Sequence, residues 1–202
     1  IFKDFYHQGG GVDGSSQGEY SDHFSKIGRV YRSESYSSSS QKQHQVVNKW
    51  DRSDLGNGRS FVKLAQAVNY YYDSQSSHKD KADTYSYDSY GNASSEINYG
   101  EVTGADSGTF TDSDSDKITT NTSWTSNTTD YIVGLPYQIT KLDNGDNQIW
   151  QQKIYYDNQS LGIVTDGNQT KEERWFTGTA YVNTQKGYNS YGNVTTETNE
   201  IN

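Results

Sequence analysis

A ten-residue unit occurs twice in this chain, as Tyr87-Asp88-Ser89-Tyr90-Gly91-Asn92-Ala93-Ser94-Ser95-Glu96 and as Tyr188-Asn189-Ser190-Tyr191-Gly192-Asn193-Val194-Thr195-Thr196-Glu197. Its chemistry is that of a β-hairpin. The tyrosine closes a strand, the Asp or Asn accepts turn amides, and the glycine supplies a positive φ that a Cβ would penalise. The second Asn tolerates the same region, and the Ser- or Thr-rich run that follows starts the return strand. Looser copies begin at Tyr156-Asp157-Asn158, which reaches Gly167-Asn168 through an insertion, and at Trp50-Asp51, which leads to Gly56-Asn57-Gly58; Tyr72-Asp73 opens another. A chain that repeats hairpin turns folds as antiparallel sheet.

The segments between turns alternate polar and apolar residues as half-buried strands do. Strands are predicted over residues 29–36, 43–50, 59–72, 82–87, 93–100, 117–126, 135–142, 148–156, 170–175, 179–188 and 194–201. Residues 61–68 also fit a helical period through Phe61, Leu64, Ala65 and Val68. Alternation through Val62, Leu64, Val68 and Tyr70, running into Tyr71-Tyr72, decides for a strand. The first 25 residues, with Gly9-Gly10-Gly11 and Gly14-Ser15-Ser16, read as loop, Ser37–Ser40 as a hairpin tip, and Asp106–Asp116 as a long polar loop. With a single proline, Pro136, and no charge break, residues 1–202 read as one β segment whose first 27 residues are loop-rich. The opening Ile1-Phe2-Lys3-Asp4, in a chain without methionine, is expected of a fragment cut from a longer protein.

Composition excludes several functions. Hydrophobic residues make up only 30% of the chain and mean hydropathy is -1.04, yet 18 Tyr, 6 Phe and 4 Trp supply large rings suited to pleated surfaces. A net charge of -9 argues against nucleic acid and anionic membranes, whose recognition needs a basic footprint. The absence of cysteine removes disulfides and thiolate chemistry, and no apolar run approaches membrane-spanning length.

A Tyr-Asp, two residues, then Gly-Asn before a Thr-rich strand resembles the tyrosine-aspartate repeat of the bacterial Rhs/YD-repeat family. Tyr6-His7-Gln8-Gly9-Gly10, Ile27-Gly28-Arg29, the stretch from Trp50 to Phe61, and Tyr131-Ile132-Val133-Gly134-Leu135-Pro136 are similar to the repeat-rich part of toxin-complex B-component and SpvB-like proteins. The resemblance implies an all-β antiparallel strip of hairpins that forms part of a spiralling hollow shell around a C-terminal toxin or effector polypeptide. Its partners would be the rest of that shell, the enclosed polypeptide and other toxin-complex subunits, in a secreted or cell-surface bacterial setting. The residues carried over are structural: Tyr87, Asp88, Gly91, Asn92, Tyr188, Asn189, Gly192 and Asn193. The family's self-cleaving region has no counterpart here.

Residue by residue, little else carries chemistry. Asp112-Ser113-Asp114-Ser115-Asp116 has the alternating carboxylates of a calcium loop, but Lys117 and Ser123 stand where such a loop needs Gly and a bidentate Glu, so a solvated loop is expected. His7, His23, His44 and His78 lack metal-ligand spacing and read as exposed loop histidines. Glu34, Glu96, Glu101, Glu172, Glu173 and Glu197 would serve a jelly-roll glycosidase only if two faced each other across a cleft, and nothing pairs them. No catalytic, metal or cofactor site is therefore expected. The alternative to a shell wall is a β-sandwich carbohydrate-binding or adhesion module; Trp50, Trp124, Trp150 and Trp175 could stack on sugars, though packing beside strands is the ordinary role.

Overall fold

A computed structural model describes residues 1–10 and 20–201, with the side chains of residues 200 and 201 left undescribed. The chain is all-β and antiparallel. Thirteen strands are found among the described residues: β1 (Phe2–Tyr6), β2 (Val30–Tyr36), β3 (Lys42–Gly56), β4 (Arg59–Tyr71), β5 (Lys79–Tyr87), β6 (Ala93–Gly104), β7 (Phe110–Asp112), β8 (Ile118–Trp124), β9 (Pro136–Leu142), β10 (Gln148–Tyr156), β11 (Gln169–Thr177), β12 (Ala180–Tyr188) and β13 (Val194–Ile201). They join in sequence order, with β7 set aside as an extra partner of β6. Among the described residues the one helical element is a 3-10 turn at Phe24–Lys26. Among the described residues no helix is long and apolar enough to cross a membrane.

Two segments expected as loop contain strands. The opening does not begin as loop: β1 pairs with β2 from Phe2↔Ser35 to Tyr6↔Val30, because β2 offers its backbone edge and the Phe5 ring packs 6.3 Å from Tyr31. Asp106–Asp116 is not simply a polar loop either, since Phe110–Asp112 forms β7 against Val102–Gly104 of β6. Gly11 and Gly14-Ser15-Ser16 lie outside the described residues. For residues 61–68 the strand prevails over the helix, because β4 pairs with β3 along its length apart from a bulge at Ala65, so that Val47 faces Val68 and Trp50 faces Leu64.

The chain divides into two compact units, Ile1–Tyr85 with Ile97–Lys117, and Ser86–Glu96 with Ile118–Asn202. In the first, period-two alternation puts every second residue of β3, β4 and β5 on one face. The register aligns Val47, Val68 and Ala82 in one cross-strand row and Gln45, Tyr70 and Asp80 in the next, all of them buried. Tyr72 and Val102 extend this core, and Tyr20, Tyr99 and Phe110 pack against it. The polar row is affordable because the segment Gly104–Phe110 lies over it. Tyr70 donates its hydroxyl to Ala105 O, Tyr72 donates to Asp106 Oδ1 at 2.6 Å, Gln45 to Asp106 O at 3.1 Å, and Gly104 N to Asp80 Oδ2 at 2.8 Å. In the second unit Ile154, Tyr156 and Val164 form a smaller core, joined by Ile132, Leu135 and Tyr137.

Candidate functional site

The repeat residues build turns of one geometry. In the first copy, Asp88 N donates to Asn92 O at 2.9 Å and Gly91 N to Asp88 O at 3.3 Å; in the second, Asn189 N donates to Asn193 O and Gly192 N to Asn189 O, each at 3.0 Å. Gly91 and Gly192 occupy the left-handed region at φ 94° and 78°, which closes a three-residue loop on the return strand. The leading side chain supplies the remaining acceptor. Asp88 Oδ1 takes the amides of Tyr90 and Asn92 at 2.9 Å, and Asn189 Oδ1 takes those of Tyr191 and Asn193 at 3.0 Å. An amide oxygen replaces a carboxylate oxygen there without loss of geometry, which is why Asn189 stands where the first copy has Asp88.

The same backbone pattern occurs at three turns whose sequences hide it. Asp143-Asn144-Gly145-Asp146-Asn147 repeats every bond, with Asp143 Oδ1 accepting Gly145 N and Asn147 N at 2.9 Å and Asp146 at φ 60°. Ser37–Gln41 and Ala105–Thr109 close through the same pair of backbone bonds, with Ser40 and Gly108 at positive φ. An Asx-x-x-x-Asn spacing would have found the turn at Asp143; nothing in sequence marks the other two as its relatives.

The insertion after Tyr156-Asp157 uses the carboxylate more heavily. Asp157 Oδ2 accepts the amides of Thr165, Asp166 and Gly167 at 2.8 to 3.0 Å, and Oδ1 accepts Asn168 N at 2.8 Å. Burial would raise its carboxyl, but the amides, Gly167 foremost, outweigh that and hold it at about 2. At Asp88 burial likewise opposes the Asn92, Tyr90 and Gly91 contacts, and the contacts win, leaving the group below the usual carboxylate range. The Trp50-Asp51 copy is different from what its sequence suggests. Both residues lie inside β3, and the turn acceptor is Asp54, whose Oδ1 takes Gly56 N at 2.9 Å before the two-residue turn Asn57-Gly58. Tyr72-Asp73 does open a turn, with Gln75 N on Tyr72 O at 2.7 Å.

Within the second unit, successive turns hold one another. Asn92 Nδ2, already on Asp88, also donates to Val133 O at 2.7 Å in the β8–β9 loop. Asn127 of that loop donates to Val164 O at 3.0 Å in the β10–β11 loop. The strand-ending tyrosines tie back: Tyr156 OH donates to Pro136 O at 2.9 Å, and Tyr188 OH to Gln169 O at 2.8 Å. Tyr87, half-buried, has a phenol raised by burial and by the nearby Glu96. Turn, asparagine and tyrosine thus form a unit whose neighbour is another such unit.

The fold is similar to that of TcdB2-TccC3. The crystal structure of TcdB2-TccC3 without hypervariable C-terminal region matches 74% of this chain with a TM-score of 0.52 at 15% identity, and the matched part is 10% of that chain. No family model matches the sequence, and the search of curated proteins finds no relative. An antiparallel sheet architecture is therefore shared with that structure, at an identity too low to carry more than the fold.

The other sequence candidates are placed as follows. The histidines are not exposed loop residues. His7 is buried and lies 3.1 Å from the Asp22 carboxylate; His23 caps the 3-10 turn through Ser25 N; His44 sits half-buried on β3; and His78, half-buried, pairs with Asp80 and lies 3.7 Å from Asp106. Rings from other strands draw three of them in, Tyr31 beside His7, Tyr71 beside His44, and Tyr70 and Tyr72 beside His78, whereas His23 is held by its neighbours Phe24 and Ser25. Among the described residues no group of three potential metal ligands is gathered; Asp116 turns its carboxylate to Glu101 N at 3.2 Å. Glu34 is buried with Arg32, Lys42 and the Tyr36 hydroxyl, which overcome the upward push of burial and hold its carboxyl at about 2. Glu172 faces Arg174, and Glu173 faces Lys171 and Tyr155. All four tryptophans are half-buried; Trp50, Trp124 and Trp175 donate their indole N–H to the carbonyls of Val30, Ala93 and Gly178.

Proposed function

We propose that this chain is a non-catalytic wall segment of an Rhs/YD-repeat shell that encloses a toxin or effector polypeptide. The observation that carries the reading is the cross-bonding of the second unit, where Asn92 and Asn127 each place a side-chain donor on the backbone of another turn, and Tyr156 and Tyr188 place theirs on the first residue of a neighbouring strand. Such a sheet grows by adding hairpins, because each new turn finds its partner in the previous one. That is what a wall requires. The likeness in fold to TcdB2-TccC3 supports the same class, as does the resemblance of the repeats at Tyr87–Asn92 and Tyr188–Asn193 to those of toxin-complex shells. Strand order favours this over a β-sandwich, since consecutive strands pair side by side instead of crossing between two sheets.

On this reading the partners are the remainder of the same shell, its enclosed polypeptide and other toxin-complex subunits, and the setting is a secreted bacterial assembly. Acidic side chains serve as turn acceptors and ion-pair partners, and none acts as a general acid. The test is electron microscopy and limited proteolysis of the full-length protein that contains this chain. A hollow particle with an internal polypeptide that resists protease until the wall is denatured is the expected result. A solid particle, or Glu173→Gln abolishing hydrolysis of a polysaccharide while stability stays unchanged, would overturn the reading.

A further inference from the structure

We infer that Asn57 is a site of spontaneous deamidation and that the fold suppresses the same reaction at Asn144. In sequence the two are equals, each an asparagine followed by glycine, whose missing Cβ lets the next backbone nitrogen approach the side-chain carbonyl carbon. In the structure both asparagines and both glycines are exposed and both pairs sit in hairpin turns, so access does not separate them. Hydrogen bonding does. Gly145 N donates to Asp143 Oδ1 at 2.9 Å, whereas Gly58 N–H has no partner among the described residues, and open space surrounds the position where a Cβ would stand.

The chemistry makes that contrast decisive. The glycine nitrogen gives up its proton to solvent base and attacks Cγ of the asparagine. The N–Cγ bond forms, the Cγ–Nδ2 bond breaks, and ammonia leaves; water then opens the succinimide at either carbonyl to give aspartate or isoaspartate. A carboxylate oxygen bonded to that N–H opposes the step twice. Its charge-assisted bond must break before attack, and its negative charge disfavours the nitrogen anion. Asp166-Gly167 is shielded in the same way, with Gly167 N on Asp157 Oδ2 at 3.0 Å. At Asn57 the product matters for the fold. Asn57 and Gly58, at φ 53° and 75°, form the two-residue turn between Gly56 and Arg59, and an isoaspartate adds a backbone methylene where the register allows no extra atom.

The experiment is to incubate the folded chain at mildly alkaline pH and follow both sites by peptide mass spectrometry with isoaspartate labelling. Asn57 should convert on the order of tenfold or more faster than Asn144, the factor expected for opening one charge-assisted hydrogen bond, with Asp166 unchanged. In urea the two asparagines should react alike. Asp143→Ala should bring Asn144 to the rate of Asn57 without altering Asn57 itself; should that variant fail to fold, the folded and urea-unfolded rates of the unaltered chain decide the question. Equal rates at Asn57 and Asn144 in the folded chain, or a faster Asn144, would overturn the inference.

Discussion

Replacing Asp157 by alanine removes the acceptor of four amides at once. Thr165 and Asp166 are exposed, so water recovers their N–H groups, and each lost bond costs about 0.5 kcal/mol. Gly167 and Asn168 are half-buried, where losing a charge-assisted acceptor costs about 1–1.5 kcal/mol each. Asp157 also lies at φ 55°, which an alanine adopts at a cost of about 1 kcal/mol. The sum is about 4–5 kcal/mol. Asp157→Asn keeps one oxygen and the tolerance for positive φ, so about 2 kcal/mol is expected. The effect should spread from the loop to the core, because Val164, 4% exposed, is carried by the same insertion onto Ile154 and Tyr156. Urea unfolding of the three proteins, with hydrogen exchange read at Thr165–Asn168, measures both parts. A loss under about 1 kcal/mol for Asp157→Ala, or identical losses for the two variants, would refute the claim that the carboxylate organises the insertion.

Gly91→Ala and Gly192→Ala should each destabilise by about 1 kcal/mol or more in denaturant titrations, because both positions are left-handed. Tyr70→Phe removes the hydroxyl that seals Ala105 O over the buried Gln45-Tyr70-Asp80 row; a loss of about 1–2 kcal/mol and faster exchange over residues 104–110 are expected, and unchanged exchange would count against the seal. Acid should unfold the chain through Asp157 and Glu34. Both fold with carboxyls at about 2 against ordinary values of 3.8 and 4.5, so the unfolded chain binds more protons between those values. Their stabilisation is complete above about pH 5 and lost as pH falls through about 2. The Asp157→Asn, Glu34→Gln double variant should show a flatter fall in stability between pH 5 and pH 2, and an unchanged slope would remove these two groups from the account.

The sequence by itself determined the class of fold and the chemistry of its turns. Strands 148–156 and 194–201 match their predicted bounds, and the Tyr-Asp units place Gly91 and Gly192 at positive φ, because alternation and turn geometry are local properties that a few neighbouring residues settle. Asp157 was legible as a turn acceptor even across its insertion. What only the tertiary structure decided depends on partners far along the chain. The Phe2–Tyr6 strand exists because β2 offers it a matching edge, and two histidines are drawn in because His7 meets Asp22 and Tyr31 and His78 meets Asp106. The turn acceptor before Asn57 moved from Asp51 to Asp54 because β3 runs on to Gly56 once β4 is there to pair with it. Likewise the bonds from Asn92 to Val133 and from Asn127 to Val164 join turns separated by whole strands, and they form only when the sheet brings those loops side by side. Local propensity ends where a residue's free energy is set by which distant backbone group it meets.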